Sequence, residues 1–141
     1  IGIMRGGAPI IDVLSRIFKL KCAYLAVESY SGTGVEDQQG ELVFSREMSS
    51  TVQNMGGRLL LCDDLSDTGI TLNKSIDWLR KYPPIKNNIE SIKTAVLWKK
   101  AASTFEPDFC AERLNNNPWI VQPFENYEEV RIEDLAKKHK K

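Results

Sequence analysis

Three aspartates, two threonines and a glycine fall within nine residues, Asp63-Asp64-Leu65-Ser66-Asp67-Thr68-Gly69-Ile70-Thr71, and no other stretch of the chain is as well equipped for chemistry. At the start of a helix, the amides of Thr68, Gly69, Ile70 and Thr71 can surround a phosphate. Two adjacent carboxylates, Asp63 and Asp64, would repel a bare phosphate. They fit a ligand that also brings hydroxyls or a divalent cation for them to hold. One phosphate, a vicinal diol and a magnesium ion together describe a phosphorylated ribose. A purely structural alternative is that the Asp-Thr string caps the helix. A P-loop is excluded, because G-x-x-x-x-G-K-[ST] occurs nowhere in the chain.

The elements that must position these residues can be read on either side of them. Leu59-Leu60-Leu61-Cys62 is an unbroken apolar run, suited to a strand covered on both faces of a parallel sheet. Leu72, Ile76 and Leu79 then recur at helical spacing, and the helix is expected to end near Tyr82, at Pro83-Pro84. The acidic residues are therefore expected on a solvent-facing turn at the carboxyl edge of a sheet, where open α/β folds bind ligands. Arg5-Gly6-Gly7 follows a short strand, Ile1 to Met4, and precedes a helix to about Leu20 carrying Ile10, Val13, Leu14, Ile17 and Phe18. It faces the same edge. Its glycines allow close backbone approach and its arginine offers a fork of donors, which suits pyrophosphate, although a tight turn with a surface arginine looks the same in isolation.

The rest of the chain is sparser. Cys22 to Val27 reads as a second strand and Ser91 to Trp98 as another, with Lys99 at its end. Trp119-Ile120-Val121-Gln122, after Asn115-Asn116-Asn117-Pro118, reads as a last strand or strand-like loop. Glu28 to Gly57 is a long polar excursion with little core, a loose hairpin of the kind that serves as a lid. Tyr127 to Lys141 reads as a terminal helix of low intrinsic stability ending in the basic residues Lys137, Lys138, Lys140 and Lys141. With 141 residues, 42% hydrophobic, the chain is expected to be one domain, 1–141, with a single core. Acidic and basic residues balance at 19 each, so no global field recruits nucleic acid or anionic membrane. No segment suits stable membrane insertion. Three cysteines, an odd number without metal-ligand spacing, fit a reducing cytoplasm.

The segment Leu60 to Thr71 resembles the signature of type I phosphoribosyltransferases, and the resemblance extends over nearly the whole chain. It implies an α/β fold with a parallel sheet, a Rossmann-like core and a flexible lid at about 28–57. It also implies an N-terminal helix that is missing before Ile1. Trp119-Ile120-Val121-Gln122-Pro123-Phe124-Glu125 resembles a segment of the bacterial xanthine-guanine (hypoxanthine) group, and Ser29-Tyr30 with Gln39 to Leu42 resembles that group's lid. Ala101-Ala102-Ser103 departs from the Pro-Ala-Gly usual there.

What the resemblance implies is a magnesium-dependent purine salvage enzyme that transfers the phosphoribosyl group of phosphoribosyl pyrophosphate to guanine, xanthine or hypoxanthine and releases pyrophosphate. Arg5, Gly6 and Gly7 would meet pyrophosphate, Asp63 the ribose hydroxyls, and Asp64 the Mg2+. Asp67, Thr68, Gly69, Ile70 and Thr71 would hold the 5'-phosphate turn, with Asp67 also at purine nitrogen 7. Lys99 would hydrogen-bond the 6-oxo group, Trp119 would stack on the ring and Ile120 would line the base pocket. Lys100 is a rival for the Lys99 role. A homo-oligomer, dimer or tetramer, is the implied assembly and the cytoplasm the implied location. The alternatives are a regulator of the same fold that binds nucleotide without turnover, and a pyrimidine enzyme.

Overall fold

The computed structural model describes residues 1–30, 41–123, 127 and 130–134. Its sheet joins β1 (Gly2–Met4), β2 (Ala23–Tyr30), β3 (Glu41–Phe44), β4 (Ser49–Ser50), β5 (Gly57–Ser66), β6 (Ile89–Lys99) and β7 (Phe109–Arg113). The order is β3-β2-β1-β5-β6-β7, with β4 also on β2. All pairings from β2 to β7 are parallel, and only β3 and β4 run antiparallel to β2. Helix α1 (Gly7–Phe18) connects β1 to β2, whereas α2 (Ile70–Lys81) connects β5 to β6. The chain thus leaves β1 toward one side of the sheet and β5 toward the other. Such a reversal opens a crevice above the carboxyl ends of the two adjacent strands.

Burial explains why these segments became elements. Leu59 and Leu61 of β5 meet Leu72 and Leu79 of α2 in a core completed by Ile3, Ala23 and Val96. The period of two along β5 sends Leu60 and Cys62 to the other face, toward Ile11 and Leu14 of α1. α1 stops where Lys19 takes a left-handed conformation, φ 54°, and its amide bonds the Ser15 carbonyl. No helix among the described residues is long and apolar enough to cross a membrane.

Ser75, fully buried on α2, has a hydroxyl with no hydrogen-bond partner among the described residues. Ser75→Ala is therefore expected to leave the unfolding free energy unchanged or to raise it by up to about 1 kcal/mol, because alanine removes an unsatisfied hydroxyl and favours the helix. Denaturant titration checks this. A loss of stability would mean that the hydroxyl is satisfied after all.

Three sequence expectations need correction. β5 does not end at Cys62 but continues through the acidic pair to Ser66, because β6 supplies backbone partners all the way, Asp63 opposite Val96 and Ser66 opposite Lys99. Polar side chains do not end a strand whose ladder is still paired. Among the described residues the last strand is β7, not Trp119 to Gln122, which is irregular chain. β7 needs no helical crossover, since it pairs only with the final residues of β6, from Ala95 onward, and the chain has little distance to return. Finally, Glu28 to Gly57 is only partly an excursion. β2 and β3 form the expected hairpin, Val27 opposite Phe44. Met48, Val52 and Met55, however, join the core, and Phe44 stacks on Trp78 at 6.2 Å. Ser31 to Gly34, Gln39, Phe124, Glu125 and the basic residues 137–141 lie outside the described residues.

Candidate functional site

The crevice between β1 and β5 brings together two segments that are distant in sequence. Gly6 and Gly7 pack directly on the acidic strand: a Cβ at Gly6 would strike the Asp64 carboxylate, and one at Gly7 the Cys62 carbonyl. The Met4–Arg5 peptide is cis, and Arg5 is exposed at the crevice rim. Here the backbone of the Arg5-Gly6-Gly7 turn lies against the carboxylates, a closeness that any larger residue would prevent.

Asp63 is not on a solvent-facing turn as expected. Only 8% exposed within β5, it accepts a 3.0 Å hydrogen bond from the Asp64 amide at Oδ1. Burial, reinforced by the neighbouring Asp64 carboxylate, pushes the Asp63 carboxyl well above the usual carboxylate range, and no basic side chain contributes to the shift. Asp64 is half-buried and takes a 2.6 Å hydrogen bond on Oδ2 from Nε2 of the buried Gln122. Gln122 is a site residue that the sequence did not assign. Its one signal is an amide inside a short apolar run.

A pair of carboxylates with no basic partner among the described residues suits a divalent cation. No group of three or more His, Cys, Asp or Glu among the described residues could hold one alone. Two carboxylates plus substrate oxygens are the donor set on which Mg2+ relies, since it keeps few protein ligands. The residues present therefore fit the ion.

The turn after β5 carries Asp67 and Thr68, both exposed, and Gly69, which caps α2 with φ 87°. Gly69 has no side chain with which to cap the helix, and the Asp-Thr string supplies a weak local cap instead, since the Thr68 hydroxyl accepts from the Ile70 amide. Thr68 Oγ1 meets the Ile70 amide at 3.4 Å, and the amides of Ile70 and Thr71 open the helix. A phosphate seated there would face a helix N-terminus.

Lys99 and Lys100, adjacent in sequence, diverge. Lys99 closes β6 with its side chain 17% exposed and its Nζ 3.5 Å from Glu106 Oε2. The Lys100 side chain is 7% exposed and turns toward the acidic turn, its Nζ 3.2 Å from Asp67 Oδ1. Trp119 is held over the same edge by anchors on both sides. Upstream, Asn117 Oδ1 accepts from the Ala102 amide at 2.8 Å; downstream, Gln122 binds Asp64. The indole is 79% exposed, which excludes a core role, while Ile120 is half-buried. A cavity of about 310 Å³ lies elsewhere, beside α1 at the amino ends of β1 and β5. Its lining is chiefly apolar, with Ile11, Leu14, Phe18, Met55 and Leu59 beside Lys21, Asn54 and Arg58, and it opens at the amino edge of the sheet, so the crevice at the carboxyl edge is the better site.

The chain is also similar to known proteins in sequence and in fold. A phosphoribosyl transferase domain model matches residues 1–129. The purine phosphoribosyltransferase of Pyrococcus horikoshii superposes with a TM-score of 0.68 at 27% identity, covering 92% of this chain and 78% of that one. The xanthine-guanine-hypoxanthine phosphoribosyltransferase of Helicobacter pylori gives 0.62 at 20% identity over 96% and 79%, a likeness of fold. In sequence, the hypoxanthine-guanine-xanthine phosphoribosyltransferase of Tritrichomonas foetus is 26% identical over 121 residues, 85% of this chain. The chain spans 63% of the length of that relative.

Proposed function

We propose a function from one premise: the chain belongs to the phosphoribosyl transferase domain family. Within it, the site supports a purine salvage transferase that moves the 5-phosphoribosyl group from phosphoribosyl pyrophosphate to nitrogen 9 of guanine, xanthine or hypoxanthine. The observation that carries this reading is the packing of the Arg5-Gly6-Gly7 backbone on the acidic strand, Gly6 against the Asp64 carboxylate, at the sheet's reversal point and beside the N-terminus of α2. Separate places for a pyrophosphate, a ribose and a 5'-phosphate then adjoin in the order in which that substrate carries them.

Phosphoribosyltransferases of this family generally use Mg2+. When bound, the ion would neutralise charge on the departing pyrophosphate, and Asp64, with Asp63, would hold it. The chain's own groups do the rest. Arg5 donates to the pyrophosphate oxygens. Asp63 accepts from the ribose hydroxyls, and the amides of Thr68 to Thr71 fix the 5'-phosphate, so that carbon 1 is aligned with the incoming base. As the bond to pyrophosphate breaks, carbon 1 gains cationic character, and nearby carboxylates stabilise it. Asp67 accepts a hydrogen bond from N7–H of the purine and takes that proton as nitrogen 9 bonds to carbon 1; Lys99 donates to the 6-oxo group, and Trp119 with Ile120 offers the apolar wall against which the ring lies.

Lys99→Ala is expected to raise KM for a 6-oxopurine by about 5- to 150-fold, the loss of a hydrogen bond from a charged donor at ~1–3 kcal/mol, with KM for the sugar pyrophosphate nearly unchanged. If Lys100→Ala gives that pattern instead, the two lysines have exchanged roles. The reading as a whole is tested by incubating the chain with phosphoribosyl pyrophosphate, Mg2+ and, in turn, guanine, xanthine, hypoxanthine, adenine and orotate. Product from the first three supports it. Product from orotate alone would point to the pyrimidine alternative, and binding without product to the regulator.

An apolar stripe on α1, with Val13 54%, Ile17 64% and Phe18 62% exposed, supports a homo-oligomer, which sedimentation would show. Cys22, Cys62 and Cys110, all unpaired, suit the cytoplasm.

A further inference from the structure

The turn that would hold the 5'-phosphate is wrapped, residue by residue, by the segment that follows β6. The Lys100 amide donates to the Ser66 carbonyl at 3.0 Å, and the buried hydroxyls of Ser66 and Ser103 lie 2.7 Å apart. Thr104 donates twice to the Thr68 carbonyl, from its amide at 3.1 Å and its hydroxyl at 3.2 Å. Phe105 lies where a Cβ on Gly69 would go. Farther on, Asp108 pins the segment back to β6, accepting from the Thr94 amide at 2.8 Å. Within this collar the contact with Asp67 is an ion pair. Lys100 Nζ approaches Asp67 Oδ1 at 3.2 Å, with the lysine side chain 7% and the aspartate 58% exposed.

An aspartate so exposed on a turn has several rotamers open to it. A substrate carrying a phosphate and a pyrophosphate would also push its carboxylate out of the crevice. Lys100 counters both effects: its stem is buried in the collar, so its ammonium is fixed, and the fixed charge holds one oxygen of Asp67. The pair engages Oδ1, and Oδ2 has no partner among the described residues, so it is available to a ligand. We propose that Lys100 is a positioning residue, which through its ion pair with Asp67 sets the carboxylate in the orientation that meets the purine. This rests on the purine transferase reading given above and assigns Lys100 a task distinct from that of Lys99.

The test uses the full chain and four variants: Lys100→Met, which keeps the stem and removes the charge; Lys100→Arg; Asp67→Asn; and the double variant Lys100→Met/Asp67→Asn. Lys100→Met is expected to lower kcat with guanine by about 10- to 100-fold, the effect of a misplaced group, while KM for phosphoribosyl pyrophosphate stays within about threefold. Lys100→Arg should recover most of the loss. The double variant should be no slower than Asp67→Asn alone, because a positioning residue has nothing left to position. The melting temperature of each variant is recorded alongside, and GMP and ribose 5-phosphate binding are measured by calorimetry. Lys100→Met should weaken GMP and spare ribose 5-phosphate. Losses that multiply in the double variant, or a raised KM for guanine at unchanged kcat, would overturn the proposal in favour of a direct contact with the base. Wild-type kinetics in Lys100→Met, or a fall in melting temperature with normal kcat per folded molecule, would reduce Lys100 to a clamp and overturn it too. If the unaltered chain neither turns over a purine nor binds GMP, the parent reading falls as well. If it does both and only Lys100→Met is silent, this proposal alone falls.

Discussion

Replacing Asp63 and Asp64 together by asparagine is expected to lower turnover by about 10³-fold and yet to raise the melting temperature at neutral pH. Both outcomes come from the same burial. Asp63 is 8% exposed, beside a second carboxylate and with no basic partner among the described residues, so its carboxyl ionises well above the usual carboxylate range. The unfolded chain loses this proton near 3.8, the ordinary aspartate value, and the folded chain only at higher pH. Folding stability from this group is therefore complete below 3.8, declines as pH rises through the folded value, and then levels off. Asparagine does not ionise. It also keeps an oxygen to accept the Asp64 amide and, at 64, one to accept from Gln122. The double variant and the unaltered chain should accordingly melt together at pH 3.5 and diverge upward to pH 8, with the variant higher. Catalysis moves the other way, since neutral amides hold neither a cation nor a developing positive charge. Thermal melts at several pH values together with single-turnover rates check the claim. Rates within tenfold of the unaltered chain would remove the carboxylates from the mechanism, and a lower melting temperature at pH 8 would mean that a cation partner was overlooked.

That conflict between stability and chemistry was only half legible in the sequence. The apolar run before Asp63 and the helical spacing after Thr71 located β5, α2 and the carboxyl edge, because both elements bury a continuous face and burial writes a pattern. The depth of Asp63 was not visible. It depends on β6 continuing to pair with β5 beyond Cys62, a property of the neighbouring strand rather than of the aspartates. β7 escaped for the opposite reason: as an edge strand, largely exposed, it has no buried face to write an alternation. Gln122 and the collar from Lys100 to Phe105 act across long sequence separations, and their residue types have no periodicity that would reveal them. Lys99 and Lys100 make the point most simply. Side by side and chemically identical in the sequence, they are separated in space by an ion pair each, to Glu106 and to Asp67.

Gly6→Ala is expected to lower kcat/KM by on the order of 10²-fold, the size of effect that a displacement of about 1 Å in a reacting group produces. The backbone at Gly6 gives no conformational reason for glycine, since φ −60° and ψ −40° suit any residue. Space is the reason. A Cβ at this position would overlap the Asp64 carboxylate, and that carboxylate has little room to yield because Gln122 Nε2 holds its Oδ2 at 2.6 Å. The overlap is relieved only by opening the gap between the Arg5-Gly6-Gly7 turn and β5, or by turning Asp64 away from Gln122. Either one separates the group expected to meet pyrophosphate from the group expected to hold the cation beside it. Kinetics should show the damage with both leaving group and metal, as a raised Mg2+ requirement together with a lower kcat. A second substitution distinguishes crowding from a general loss of fold. Gly6→Ala combined with Gln122→Ala frees Asp64 to move, so it should melt no lower than Gly6→Ala alone while remaining slow. If Gly6→Ala alone has normal kcat/KM, the turn and the acidic strand do not act on one ligand, and the site drawn at the β1/β5 crevice has to be abandoned.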